Sequence, residues 1–136
     1  MSSISTIARS GMNAATHRLE VSASNVANVA STGALPDSAG AVPAGAPQPY
    51  VPLVLVQTAS AGGGTATSVA AVKPAATAVS DPQAPFANQS GLVAAPNVDL
   101  SQEMLGQMIA SYSFTASATV LKAGDRMAKS LLDITA

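Results

Sequence analysis

Few side chains in this sequence are of the types that do chemistry, and their spacing does not bring them together. His17 is the single histidine and cysteine is absent. A zinc-type centre needs three or four nitrogen or sulfur ligands, so neither a thiolate nor a multi-histidine metal site can be built. His17 falls in a helical context beside Arg18 and Glu20, where a surface or interface role accounts for it. Asp99 and Glu103 lie one helical turn apart, which raises the question of acid–base work by paired carboxylates. A capping role and a helix-dipole role explain both without it. The glycines at 62–64 have no following Lys-Ser/Thr and no helix start, so they do not form a phosphate cradle. The sequence therefore calls for no cofactor, no metal and no small-molecule substrate, and an enzyme is not expected.

Behind these residues stand the elements that would position them. The last third of the chain, residues 97–136, reads as one long helix. Leu105, Met108, Ile109, Tyr112, Ala116, Val120, Ala123, Met127, Leu131 and Ile134 recur at three- and four-residue steps and form an apolar stripe. Asp99 is placed to cap its first free N–H groups, with Gln102 three residues on as a capping-box partner. Lys122, Arg126 and Lys129 lie toward its negative end. Such a helix is roughly 50 Å long, more than any core this chain can build would cover, so it asks for a partner.

A second helix is expected over residues 1–30, with Ile4, Ala8, Met12, Ala15, Leu19, Ala23 and Val26 as its stripe and Ser2 or Ser3 as its cap. Small residues dominate this stripe, so the helix can approach a neighbour closely while burial contributes little. Its end is expected between Asn25 and Gly33, with a left-handed C-cap as one way to stop it.

Residues 31–96 hold all nine prolines and most of the glycines. The prolines at 36, 43, 47, 49 and 52 exclude helix and favour extended chain. Residues 50–58 then read as a strand, 61–64 as a glycine turn and 65–73 as the return strand of one β-hairpin. Residues 73–96 read as loop with a short extended piece at 92–94; low-complexity disorder competes with an ordered segment lying on other protein. The fold class is thus mainly α, with long terminal helices pairing as a coiled-coil-like layer around an extended Pro/Gly-rich middle that carries a small hairpin.

Composition narrows the function classes. Hydrophobic residues make up 48% of the chain, but aromatics only 3%, so a thick globular core is not expected. The net charge of −1 leaves no basic surface for nucleic acid. The first ten residues lack the basic and apolar regions of a signal peptide. Residues 104–121 carry no charge and raise the question of a membrane helix. Gly106, Gln107, Ser111, Ser113, Thr115, Ser117 and Thr119 burden insertion and favour a helix packed tightly on other helices. Two paired helices would still leave bare flanks, which self-association or association with similar chains would cover.

Both termini carry a specific resemblance. Ser10-Gly11-Met12-Asn13-Ala14, Leu19, Ala23-Ser24-Asn25-Val26-Ala27-Asn28-Val29 and Thr32-Gly33 resemble the N-terminal motif of bacterial flagellar rod and hook proteins. At the other end, Gly91-Leu92-Val93-Ala94-Ala95-Pro96-Asn97-Val98-Asp99-Leu100, followed by Glu103-Met104, Met108-Ile109-Ala110-Ser111, Val120-Leu121-Lys122 and Leu131-Leu132, is similar to the proximal-rod members of that family. Asn25, Asn28, Gly33, Pro96, Asn97 and Asp99 carry the motif. The family commonly has an aromatic where Leu92 stands and an asparagine where Ser117 stands. The resemblance implies a structural subunit of the basal-body proximal rod that polymerises through its terminal helices into a drive shaft between motor and hook. It implies copies of itself and other rod proteins as partners, export through the flagellar type III apparatus without a cleaved signal, and a periplasmic location. Another axial protein of the same system, or a small membrane-associated helical protein, are the alternatives.

Overall fold

Two helices dominate the computed structural model, which describes residues 3–37 and 40–134. Helix α1 spans Ser3–Ala27 and helix α2 spans Leu100–Ile134. At 1.5 Å per residue they are about 37 and 52 Å long. Asp99 starts α2 as the spacing predicts: its Oδ1 accepts from the backbone N–H of Ser101 at 2.9 Å and of Gln102 at 3.1 Å. What Gln102 supplies to the cap is this backbone N–H. The last described turn of α2 holds no basic residue, so the Lys and Arg side chains act upstream of it. Ser3 opens α1, while Ser2 and the Ser3 side chain lie outside the described residues.

Helix α1 ends at Ala27, inside the expected Asn25–Gly33 stretch, but without a left-handed cap. Asn28 N–H still donates to Ser24 O, Val29 N–H closes a tighter turn on Val26 O, and Ser31 N–H donates to Asn28 O. No non-glycine residue among those described has a positive φ, and Gly33 is not among the positive-φ glycines. The chain leaves the helix through successive tight turns instead of a left-handed cap. Gly33 is required for another reason: a Cβ there would run into Pro47 O, Gln48 C and Pro49 N.

The two helices lie antiparallel against each other. Ile4 Cγ2 sits over Gly124, Gly11 faces Ser117, and Asn25 bonds to Glu103. Ile4 to Gly11 and Gly124 to Ser117 are both seven residues; Gly11 to Asn25 and Ser117 to Glu103 are both fourteen. The chain therefore runs in opposite directions through one continuous seam. Ala8, Ala15 and Ser22 on α1 and Ala110 on α2 are buried. Small side chains let helix axes approach at the short end of the usual 8–10 Å range. No described helix is long and apolar enough to cross a membrane.

Two hairpins occupy the middle. Strand β1 (Leu53–Ala59) pairs antiparallel with β2 (Thr65–Ala71), Leu53 opposite Ala71 and Ala59 opposite Thr65. Gly63 and Gly64, with φ of 85° and 87°, make the turn between them in the left-handed region that side chains avoid. This hairpin lies on α1, where Thr65 N–H donates to Ser10 Oγ at 3.1 Å and His17 Nδ1 meets Thr67 Oγ1 at 2.9 Å. His17 is thus an exposed contact to the sheet.

The second hairpin corrects the reading of residues 73–96 as loop. Strand β3 (Ala76–Ser80) pairs antiparallel with β4 (Leu92–Pro96). Asn88 shapes the connection, its Oδ1 accepting from the N–H of both Ser90 and Leu92. β4 is the buried strand, with Val93 and Ala94 fully covered. Its other edge is bridged by Gly33, which exchanges two 2.9 Å backbone bonds with Ala94. The N-terminal and C-terminal motifs thus meet in one strand pairing.

Candidate functional site

The predicted stripes divide into two unlike sets. On α1, Ala8 and Ala15 are buried in the seam, Met12 and Val26 are half-buried, and Ile4, Leu19 and Ala23 are exposed. On α2, Leu105, Met108, Ile109, Tyr112, Ala116, Val120, Ala123, Met127 and Leu131 are all exposed, Tyr112 by 72% and Leu131 by 66%. The side chain of Ile134 lies outside the described residues. Ala116 and Ala123 take no part in the close approach of α1 to α2, which Gly11, Ser117 and Gly124 make instead.

The reason lies in which α2 residues face α1. Glu103, Ala110, Ser117 and Gly124 recur at seven-residue steps, as do Ala8, Ala15 and Ser22, and Gly11, Arg18 and Asn25. A strict seven-residue repeat marks the contact line of paired helices. Here that line is written in small and polar residues. On α2 a search for large apolar residues passes over it and finds the opposite face, whereas on α1 the stripe read from sequence already holds Ala8 and Ala15. The signal was present in the spacing and hidden by the residue types.

That outward face is a run of aliphatic, methionine and aromatic side chains with no charged residue between Met104 and Leu121. Next to it, a shallow groove between the helices is lined by Ala15, Leu19, Ala110 and Phe114. Exposed apolar surface on this scale marks an interaction site more often than single exposed leucines do. Among the described residues no three His, Cys, Asp or Glu side chains converge on a common point.

The motif residues gather elsewhere, at the end of the seam. Asn25, 1% exposed, uses its whole hydrogen-bonding capacity. Its Nδ2 donates to Leu53 O at 2.8 Å and to Glu103 Oε1 at 2.6 Å. Its Oδ1 accepts from Leu53 N–H at 2.9 Å and from the Tyr50 hydroxyl at 3.1 Å. The Tyr50 hydroxyl also lies 3.0 Å from Ser24 Oγ, and Ser22 Oγ donates to Glu103 O. Asn28 Nδ2 donates to Ser24 O and holds the last turn of α1. Asn97 donates from its backbone to Ala75 O and from Nδ2 to Pro74 O, fixing the start of β3 beside the end of β4, where Pro96 is buried. These motif residues hold backbone in place. Tyr50 and Leu53 join them without having been singled out by sequence, because their role depends on strand β1 lying back across α1, and Glu103, which the sequence gives a helix-dipole role, is drawn into the same cluster.

Comparison with known proteins agrees at both ends. The family described as flagella basal body rod protein matches residues 6–34, and the C-terminal family of the flagellar basal body rod FlgEFG proteins matches residues 89–134. The flagellar basal-body rod protein FlgC of Escherichia coli O6:H1 is 37% identical over 122 residues, covering 85% of this chain and 83% of that protein. FlgC of Salmonella typhimurium strain LT2 is 38% identical over the same shares. The chain belongs to the flagellar basal-body rod protein family, within it to the FlgC type, and is a structural subunit of that rod.

Proposed function

We propose that the subunit polymerises through the outward faces of its terminal helices, next to copies of itself and to other rod proteins, and so forms part of the proximal rod. One observation carries this reading: the large apolar side chains of α2 are exposed while the seam between α1 and α2 is closed by small and polar ones. Burying a Leu, Met or Ile side chain contributes about 1.5–3 kcal/mol, so the strongest hydrophobic drive in the chain is directed outward. The residues proposed to contact neighbours are Leu105, Met108, Ile109, Tyr112, Ala116, Val120, Ala123, Met127, Leu131 and Ile134 of α2, together with Ile4, Leu19 and Ala23 of α1. Ala8, Met12, Ala15 and Val26 support them from within the pair. Such a layer of paired helices repeats by heterologous contacts that propagate without closing a ring. The mechanism is mechanical: the polymer turns as a shaft and carries torque from motor to hook. The role is structural and not catalytic. Delivery through the flagellar type III apparatus, without a cleaved signal, would place the subunit in the periplasm.

The test is a triple variant, Leu105→Ser with Met108→Ser and Tyr112→Ser, in cells lacking the wild-type copy. The expected result is export without swimming, and hook–basal bodies lacking the subunit by electron microscopy. Normal motility with intact basal bodies would overturn the assignment of this face to assembly.

A further inference from the structure

Besides the packing of its glycine turn on Ile7, the first hairpin is hydrogen-bonded to the helix pair at three points of very different character. Two involve single bonds toward the turn: Thr65 N–H on Ser10 Oγ, and the exposed His17–Thr67 pair. The third is Asn25, buried at the base of the hairpin. There the carboxamide acts as a peptide group would in a neighbouring strand. It donates to the carbonyl and accepts from the N–H of one residue, Leu53, on the edge of β1 that does not face β2. The same Nδ2 reaches α2 through Glu103, and the same Oδ1 is held by Tyr50. One side chain therefore bonds to α2, to the first residue of β1 and to the segment leading into it, while belonging to α1.

We propose that Asn25 is the positioning residue that fixes the angle between the first hairpin and the helix pair, so that the two move as one body. Without it the hairpin keeps its own ladder and the helices keep their seam, but the joint between them becomes a hinge. The nearest substitutions do not replace it. Aspartate retains the acceptor for Leu53 N–H and Tyr50 but sets a carboxylate oxygen against Leu53 O and Glu103, where no donor remains. Alanine leaves both backbone groups of Leu53 without a partner.

The absence of cysteine makes a clean distance measurement available. Spin labels at Ala70→Cys on β2 and Ala116→Cys on α2, both exposed positions, report the joint by pulsed electron resonance on the purified full chain. Amide exchange at Leu53 reports the Asn25 bond itself. The expected result is a single narrow distance in the parent and a broad distribution in Asn25→Ala and Asn25→Asp. Leu53 exchange should rise about tenfold or more, as for a locally opened bond, with helical circular dichroism retained. Tyr50→Phe, which removes one of the four bonds, should give an intermediate width. Glu103→Gln, whose Oε1 still accepts, should stay narrow. Ser10→Ala with Thr67→Val should leave Leu53 protected. An unchanged distance distribution and Leu53 exchange in a folded Asn25→Ala chain would overturn the proposal. So would loss of the helical signal in that variant, because Asn25 would then hold up the fold instead of setting the joint. Both readouts concern the isolated chain, so they stand or fall separately from the assembly surface.

Discussion

A Cβ at Gly106 meets nothing within 4 Å, although the residue sits well inside α2 and beside a notch lined by Arg18, Ser22 and Glu103. Glycine in a helix interior costs about 1 kcal/mol relative to alanine, and nothing inside the chain requires it here. Gly106→Ala is therefore expected to stabilise the isolated chain by roughly that amount, read as a higher denaturation midpoint. A fall in stability would show that the notch is tighter than its geometry. Gly33 is the opposite case. Its Cβ would enter the backbone at 47–49, which is bonded to Ala34 and cannot yield as a side-chain tip could. Gly33→Ala should cost on the order of 1–3 kcal/mol by overpacking, measured by urea denaturation. Ala116 gives a third test, since it is exposed in the chain and lies on the outward stripe. Ala116→Phe should change the unfolding free energy of the monomer by no more than about 0.5 kcal/mol, as surface changes do, while blocking incorporation into basal bodies. A swimming strain carrying it would place that position away from any neighbour.

At the scale of elements, α2 outlasts its partner. Ile4 covers Gly124, and the turns at 125–134 lie beyond that contact. Their amides should exchange faster than those at 103–121, because helices this lightly packed are held mostly by tertiary contact. Uniform protection along α2 would overturn this. The elements also show what could be read from sequence. Both long helices follow from apolar periodicity, and Asp99 fixes the start of α2 through a cap that the sequence names. The first hairpin follows from Val and Leu at 51–56 and three glycines at 62–64. Strand β3 did not, because Ala76-Thr77-Ala78-Val79-Ser80 offers one bulky β-former. Its strand character comes from pairing with β4 across an eleven-residue connection, which no local propensity encodes. The α1 side of the seam was read in part, through Ala8 and Ala15, but its α2 side escaped for a related reason: stripe-finding weighs large apolar residues, and Glu103, Ala110, Ser117 and Gly124 are none of these.

For the whole molecule, the division between a small-residue seam and a large-residue outer face bears on how firmly the free subunit is folded. Backbone ordering costs about 1–2 kcal/mol per residue, and contacts among Ala, Gly and Ser offset only part of it. The turns of α2 beyond the Ile4–Gly124 contact are expected to be labile in the dilute monomer and to gain helicity on association, while the seam itself holds. Circular dichroism across a dilution series, with limited proteolysis, checks this. Full helicity and protease resistance at the lowest concentration would show that the seam suffices alone. The seam has one further property. Sliding α2 by seven residues in the direction that sets Asn25 opposite Ala110 would leave the carboxamide buried without Glu103, and would set Ile4 against Leu131 in place of Gly124. Each buried polar group left alone costs about 1–3 kcal/mol, so intermediate and shifted alignments are both disfavoured. Helix position is thereby made discrete, like the notches of a gauge, and every copy of the part comes out at the same length. Dimensional tolerance of that kind is what allows identical pieces to be stacked many times without accumulating error.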